Sequence, residues 1–233
     1  FPKSMMARQH HVRFLVMHRT PALPTGFHRL AWSNLVAQSA EQIALAAAPI
    51  VAVLALGVGE GETGLLQMAL TAPFVLFAIP AGLLADRMPR RLLMASAEAL
   101  RALALLTIVL AFASGMLTLP LLAALGFTAV CGTVVFSVAA PALVPSLVAP
   151  AHLATANARI ELARTVAFAA GPALGGMLVG WIGGVPAFGC AAVLSLIAAL
   201  CLAGLGEPVR APAPSRHPLA DLSEGAAFVL RHP

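Results

Sequence analysis

Six long apolar blocks decide what this chain can fold into. Each block exceeds the roughly 17 to 20 apolar residues that a helix needs to cross about 30 Å of hydrocarbon. The blocks are continuous, whereas the strands of a membrane barrel would alternate apolar and polar residues. The sequence therefore predicts an all-α membrane protein with six transmembrane helices. The blocks cover residues 30–58, 64–84, 92–112, 117–140, 160–182 and 185–205.

The composition excludes a water-soluble domain. Hydrophobic residues make up 60% of the chain and charged residues 10%, which leaves too little polar surface to cover a globule in water. The three cysteines, Cys131, Cys190 and Cys201, lie in apolar blocks without the spacing of a metal site or a disulfide framework. Hydrolase, zincin and P-loop patterns are missing from the sequence. We therefore expect no enzyme, no cofactor and no metal site, and we interpret His10, His11 and His18 as part of a solvated basic tail.

The positions of Lys and Arg predict the orientation in the membrane. All but Arg101 of the 14 Lys and Arg residues lie in the two terminal segments, in the loop after the second block or at the entry to the fifth. Short basic loops stay in the cytoplasm, so both termini are predicted to be cytoplasmic. The cations are not clustered with stacking aromatics, so we expect no nucleic-acid partner.

A charged turn joins the second block to the third. Its glycine would permit close helix approach, its acid would accept hydrogen bonds from a helix N-terminus or an arginine, and its arginines would anchor at anionic headgroups. The simpler alternative is a charged loop end that only obeys the positive-inside rule. The residues of this predicted conformational clasp are Gly82, Asp86, Arg87, Arg90 and Arg91.

Small residues surround a proline in the fifth block. Gly171, Gly175 and Gly176 flank Pro172, and Gly180 follows. Such a stripe lets two helix backbones approach closely, and the proline frees a carbonyl and allows a bend. Ordinary tight helix packing is enough to explain these residues taken alone.

Both segments resemble motifs of the major facilitator superfamily. The order G-x-L-A-D-R-x-x-R-R resembles the signature loop between helices two and three, which usually has glycine where this chain has Pro89. The order G-P-x-x-G-G resembles the fifth-helix motif of the superfamily's antiporters, which favours export over import. Residues 26–30, 143–148, 154–157 and 222–228 are similar to the subgroup that includes the enterobactin exporter and macrolide-efflux-like proteins.

The resemblance implies the N-terminal half of a twelve-helix secondary transporter, built from two inverted three-helix repeats. It implies a rocker-switch mechanism and proton-coupled efflux of a drug, siderophore or metabolite across a bacterial inner (plasma) membrane. Residues 1–28 would be a cytoplasmic segment, 29–206 the bundle, and 207–233 a linker toward a missing second half. The alternatives are a six-helix scaffold or accessory subunit that transports nothing, or a homodimeric half-transporter.

Polar residues inside the blocks are the candidates for transport chemistry, because they are costly in lipid unless paired or wet. Asn34, Gln38 and Glu41 share one face of the first helix, which we expect to be exposed to lipid or to another copy if the second half is missing. Glu41, about 15 Å deep by helix rise, would carry a proton or bind a cationic substrate. The alternative for Glu41 is a structural hydrogen bond.

Two further pairs of opposite charge have i, i+3 spacing. Glu98 and Arg101 lie in the third block and form either a self-contained ion pair or a proton or substrate site. Glu161 and Arg164 lie at the start of the fifth block, where we expect a structural role.

Overall fold

The structure is a computed structural model that describes residues 23–206, so the basic tail and the linker lie outside the described residues. Within that range six helices are long and apolar enough to cross a membrane, which confirms the predicted six-helix membrane fold. They are α1 Thr25–Leu56, α2 Glu60–Arg87, α3 Arg90–Ala113, α4 Leu119–Leu147, α5 Leu153–Ile182 and α6 Gly184–Ala203.

Most of the helices extend beyond the apolar blocks that predicted them. The largest extensions are at the starts of α1 and α5 and at the end of α4, where polar or proline-containing segments continue the helix. Hydropathy marks only the part in hydrocarbon, whereas the helix can continue through the headgroup region. Gly57 and Gly183 follow α1 and α5 with φ of 67° and 93°, a region that glycine enters without steric penalty.

The helix pairings follow a two-fold pattern. α1 packs against α5 and α6, while α4 packs against α2 and α3, and α3 packs against α6. Exchanging α1 with α4, α2 with α5 and α3 with α6 reproduces the same set of pairs. Because successive spans run in opposite directions, the exchange relates antiparallel helices. The packing therefore has the symmetry of two inverted three-helix repeats.

One end of the bundle is marked by arginines on helix-end carbonyl groups, and we call it the basic end. Arg29 Nη1, at the start of α1, donates to Gly204 O at 2.8 Å. Arg91, at the start of α3, donates to Leu205 O. The starts of α1 and α3 and the end of α6 are therefore level, and the side chains satisfy carbonyls that have no partner within a helix.

The interior has two apolar clusters with polar residues between them. The cluster toward the basic end includes Met94, Phe136 and Ala198, and the other includes Leu105 and Val130. The polar residues that separate the clusters come from α1, α3, α4 and α6. We call them the polar layer, whose members are Gln38, Glu41, Glu98, Arg101, Thr133 and Ser195.

Helices α2 and α5 lie at the outside of the bundle. Only 22% of the residues in the apolar window of each are buried, against 39 to 50% in the other four helices. Large apolar side chains such as Phe74 and Leu76 on α2 and Leu174 on α5 are exposed. These two helices therefore present broad surfaces that the bundle itself does not cover.

Candidate functional site

Arg101 is the centre of the polar layer. Its side chain is 3% exposed, and Nη1 lies 3.0 Å from Glu98 Oε1. The same Nη1 donates to Ala37 O at 3.0 Å, and Nη2 donates to Thr133 Oγ1 at 2.6 Å. The pair with Glu98 is thus not self-contained, because the guanidinium joins α3 to α1 and α4.

Glu41 lies beside this arginine at a small cavity. The residue is 6% exposed and forms no hydrogen bond or ion pair with any described residue. Its cavity has about 30 Å³ and is also lined by Arg101 and Thr133 at one end. The rest of the lining is apolar and includes Leu105 and Phe188. Since a water molecule needs about 10 to 15 Å³, the cavity has room for about two waters.

The predicted polar face of α1 divides between two environments. Asn34 does not line the cavity, and its Nδ2 donates to Ile160 O at 3.3 Å, which ties α1 to α5. Asn34, Gln38 and Glu41 are 3%, 7% and 6% exposed, so the prediction that this face is exposed to lipid or to another copy is wrong. The contacts with α5 and α3 cover it inside this bundle. Among the three, only Glu41 reaches the arginine site.

Thr133 and Ser195 are members of the polar layer that sequence reasoning missed. Hydroxyl residues are frequent in the helices, and most bond to their own backbone, as Thr107 does to Leu103 O and Thr128 to Ala124 O. Thr133 instead accepts from Arg101, and the fully buried Ser195 lies against Glu98. No signal in the sequence separates these two residues from the other hydroxyls.

The predicted clasp divides into an outer part, Asp86 and Arg87, and an inner part, Arg90 and Arg91. Asp86 and Arg87 are exposed and lie at the end of α2. A Cβ on Gly82 would meet no atom within 4 Å, so no described helix approaches Gly82 closely, and its close helix approach stays a prediction. Arg90 donates to Ala142 O of α4, and Arg91 to Leu205 O. Arg90 therefore contacts a carbonyl within α4, and Arg91 contacts one just beyond the end of α6.

The glycines of α5 also have unequal roles. A Cβ on Gly171 would lie 2.3 Å from Gln42 Cβ, and one on Gly175 would lie 2.9 Å from Ile43 O. These two positions hold α5 against α1 and confirm close packing there. Gly176 meets only Ile50 Cδ1 at 3.9 Å, Pro172 is exposed, and Gly180 faces open space.

The second i, i+3 pair lies away from the cavity. Glu161 accepts from Arg164 Nε at 2.9 Å, and the two side chains are 57% and 51% exposed. The Arg164 guanidinium also lies 5.6 Å from the ring centre of Phe168. Among residues 23–206, no group of three or more His, Cys, Asp or Glu residues could hold a metal ion.

A family model described as transmembrane secretion effector matches residues 25–229, which is most of the chain. A search of curated proteins finds no match. The matched range contains all six helices, both motifs and the polar layer. Together with the membrane fold, the match shows a membrane transporter rather than a globular domain in water. The chain belongs to the transmembrane secretion effector family of the major facilitator superfamily.

Proposed function

We propose that this protein is a proton-coupled exporter in which Glu41 is the proton-binding group. The observation that carries the proposal is the ratio of charges in the polar layer. Glu41, Glu98 and Arg101 are the buried charged residues of 23–206, so two carboxyl groups share one guanidinium. A buried net charge is costly in a bilayer, and one bound proton makes the layer neutral.

The contacts indicate which carboxyl group exchanges the proton. Glu98 is fully buried and pairs with Arg101, whereas Glu41 has no protein partner among the described residues and faces the cavity. A proton arriving through water would therefore reach Glu41 first. Its binding or release changes the charge next to Arg101, which connects three helices. This links protonation to helix packing.

The size of the cavity supports a proton site rather than the substrate site. Its volume of about 30 Å³ suits water. Pockets for drug-sized ligands have roughly 300 to 1,000 Å³. We therefore place the exported molecule outside the six-helix bundle, against a surface that the bundle shares with a second body. Its chemical identity is that of a drug, siderophore or metabolite, as the resemblance to siderophore and macrolide exporters implies.

The surfaces of α2 and α5 support a second six-helix half as that body. Both helices are exposed along their length, and the outer clasp residues Asp86 and Arg87 lie at the end of α2. A partner half would cover these helices, and Asp86 would engage it in one of two transport states. In this arrangement the basic end and both termini are cytoplasmic, and the membrane is a bacterial inner membrane.

Inverted membrane vesicles that contain the complete gene product test the proposal. An imposed proton gradient should drive uptake of exporter substrates from a panel of lipophilic drugs and siderophores, and a protonophore should abolish it. Uptake by wild-type protein that is unaffected by the protonophore would disprove proton coupling. Correct insertion without transport of any panel member would favour the scaffold or accessory-subunit alternative.

A further inference from the structure

Three buried polar atoms around the Glu98 to Arg101 pair have no hydrogen-bond partner among the described residues. They are Glu98 Oε1, Arg101 Nε and Ser195 Oγ. Glu98 Oε1 contacts the guanidinium at 3.0 Å but lies outside hydrogen-bond geometry, and Oε2 accepts the bond at 3.2 Å. Ser195 Oγ lies close enough to Glu98 to stabilise its charge, but the contact is outside hydrogen-bond geometry. A buried polar atom without a partner is costly, so three of them at one pair need an explanation.

These atoms have the chemistry of a water site. Arg101 Nε can only donate, Glu98 Oε1 accepts when ionised, and the Ser195 hydroxyl can do either. Buried waters usually make about three hydrogen bonds, and such groups are their typical partners. An apolar contact would satisfy none of the three, and Arg101 disfavours a metal cation.

The site lies on the other side of Arg101 from the cavity. Arg29 and Arg91 are level at the basic end, where they bind Gly204 and Leu205. Glu98 follows Arg91 by seven residues and so lies about 10 Å along the helix from the level of the two arginines, while Glu41 follows Arg29 by twelve residues and lies about 18 Å from that level. The other residues of the cavity, such as Leu105 and Ile108, lie deeper still. The order from the basic end is therefore Glu98, Arg101, Glu41, cavity.

We infer that a water molecule bound by Glu98, Arg101 and Ser195 makes Glu98 a second proton station on the basic-end side of Arg101. A proton on Glu41 then has an acceptor nearer the basic end. The O–H bond at Glu41 breaks as a water in the cavity accepts the proton, and an O–H bond at Glu98 forms as the bound water on the other side of Arg101 donates one, each water accepting one proton and donating another. Arg101 keeps its charge and changes its ionised partner from Glu98 to Glu41. The role of this step rests on the proposed function, whereas the water site does not.

Other groups of the bundle that face the pair are Glu41 from α1 and Thr133 from α4, besides Ser195 from α6. The acidic residues of α2 lie near its ends, and the charged residues of α5 are exposed. No further ionisable group of the described helices therefore lies in the polar layer. The two carboxyl groups and one guanidinium account for its titration.

An experimental map of the full-length protein that resolves ordered water tests the site directly. Density should lie within about 3.2 Å of all three atoms, the upper limit of ordinary hydrogen bonds. Protein atoms in that position, or a well-resolved map without density there, would overturn the inference. This result does not depend on transport.

Infrared difference spectroscopy of the purified protein during a pH change tests the second station. Among the carboxyl protonation signals of wild type, two should come from buried groups; Glu41→Gln should lose one of these two, and Glu98→Gln should lose the other. Ser195→Val should shift the Glu98 signal, whereas Ser33→Ala is the matched control, since the fully buried Ser33 already bonds to Leu30 O at 2.8 Å. A Glu98→Gln spectrum identical to that of wild type would refute the proposal. If Glu98→Gln fails to fold, the proposal is refuted when Ser195→Val leaves the Glu98 signal unshifted or when no water density lies at the site.

Two carboxyl signals without proton-driven efflux would contradict the proposed function but leave the water site and the second station standing. Proton-driven efflux with only one buried carboxyl signal would contradict the second station and leave the proposed function standing. The two proposals therefore fail separately.

Discussion

Arg101 Nη1 donates a hydrogen bond to the main-chain oxygen of Ala37 at 3.0 Å. Ala37 lies one helical turn before Glu41, so the buried cation of α3 is attached to the backbone of α1 next to the proposed proton site. A main-chain oxygen cannot be removed by substitution or titrated. The contact therefore holds the arginine near both carboxyl groups whichever of them carries the proton.

The two i, i+3 ion pairs should differ in their effect on stability. Arg101→Ala leaves the carboxylate of Glu98 buried without a partner, and we expect the free energy of unfolding to fall by about 3 to 5 kcal/mol. Arg164→Ala removes an exposed pair of the same spacing and should cost about 0 to 1 kcal/mol. Thermal and denaturant unfolding in detergent compare the two. Equal losses would contradict the central role of Arg101, and the double variant Glu98→Gln, Arg101→Met should recover part of the loss.

Glu41→Gln should weaken proton coupling more than folding. The amide keeps the shape of the side chain but cannot exchange a proton at physiological pH. We expect substrate-driven proton movement in vesicles to fall at least about tenfold, with the midpoint of thermal unfolding near that of wild type. Glu161→Gln is the control, because it changes an exposed acid away from the cavity. Unchanged proton movement would leave Glu41 with a structural role only.

Gly171→Ala should disrupt the contact between α1 and α5. The added Cβ would lie 2.3 Å from Gln42 Cβ, and such overpacking costs about 1 to 3 kcal/mol. Gly180→Ala on the same helix adds a methyl group where no atom lies within 4 Å, so its stability should match that of wild type or exceed it. Thermal unfolding of the detergent-solubilised variants measures the difference. Similar values for both variants would mean that the helices can separate at no cost.

Asp86→Asn should lower transport by the complete transporter without changing its insertion. Asp86 is exposed and contributes nothing to the hydrophobic core, so its proposed role is a contact made in one transport state. The expected loss is at least about fivefold, the lower end of typical coupling between two sites. Efflux at matched expression is the measurement, and Glu60→Gln, an exposed acid at the other end of α2, is the control. Near-normal efflux by Asp86→Asn would refute the clasp.

The 233-residue chain reconstituted alone should not transport. The cavity inside the bundle is too small for an exported molecule, and α2 and α5 are uncovered. We expect proton-dependent efflux from vesicles only when a second six-helix body is present. Efflux by the purified chain, together with a dimer in cross-linking, would establish the homodimeric half-transporter instead.

Some site residues could be predicted from the sequence because they are exceptions within their segment. Glu41, Glu98 and Arg101 are charges in apolar blocks, and a buried charge needs a special environment. Gly171 and Gly175 are small residues at the spacing of one helical turn, and both lie at a close contact. Gly82 satisfied the same kind of rule and faces open space, because a glycine permits close approach without requiring it.

The sequence by itself determined the membrane, the number of spans and the alternation of basic loops, because hydropathy and charge belong to each segment regardless of its neighbours. Only the tertiary structure decided that Arg101 meets Ala37 and Thr133, residues 64 and 32 positions away. It also decided that Asn34 bonds to the backbone 126 residues later while Glu41 faces a cavity. Which faces of six similar apolar helices meet depends on how side chains fit between them, and hydropathy carries almost no information about that fit.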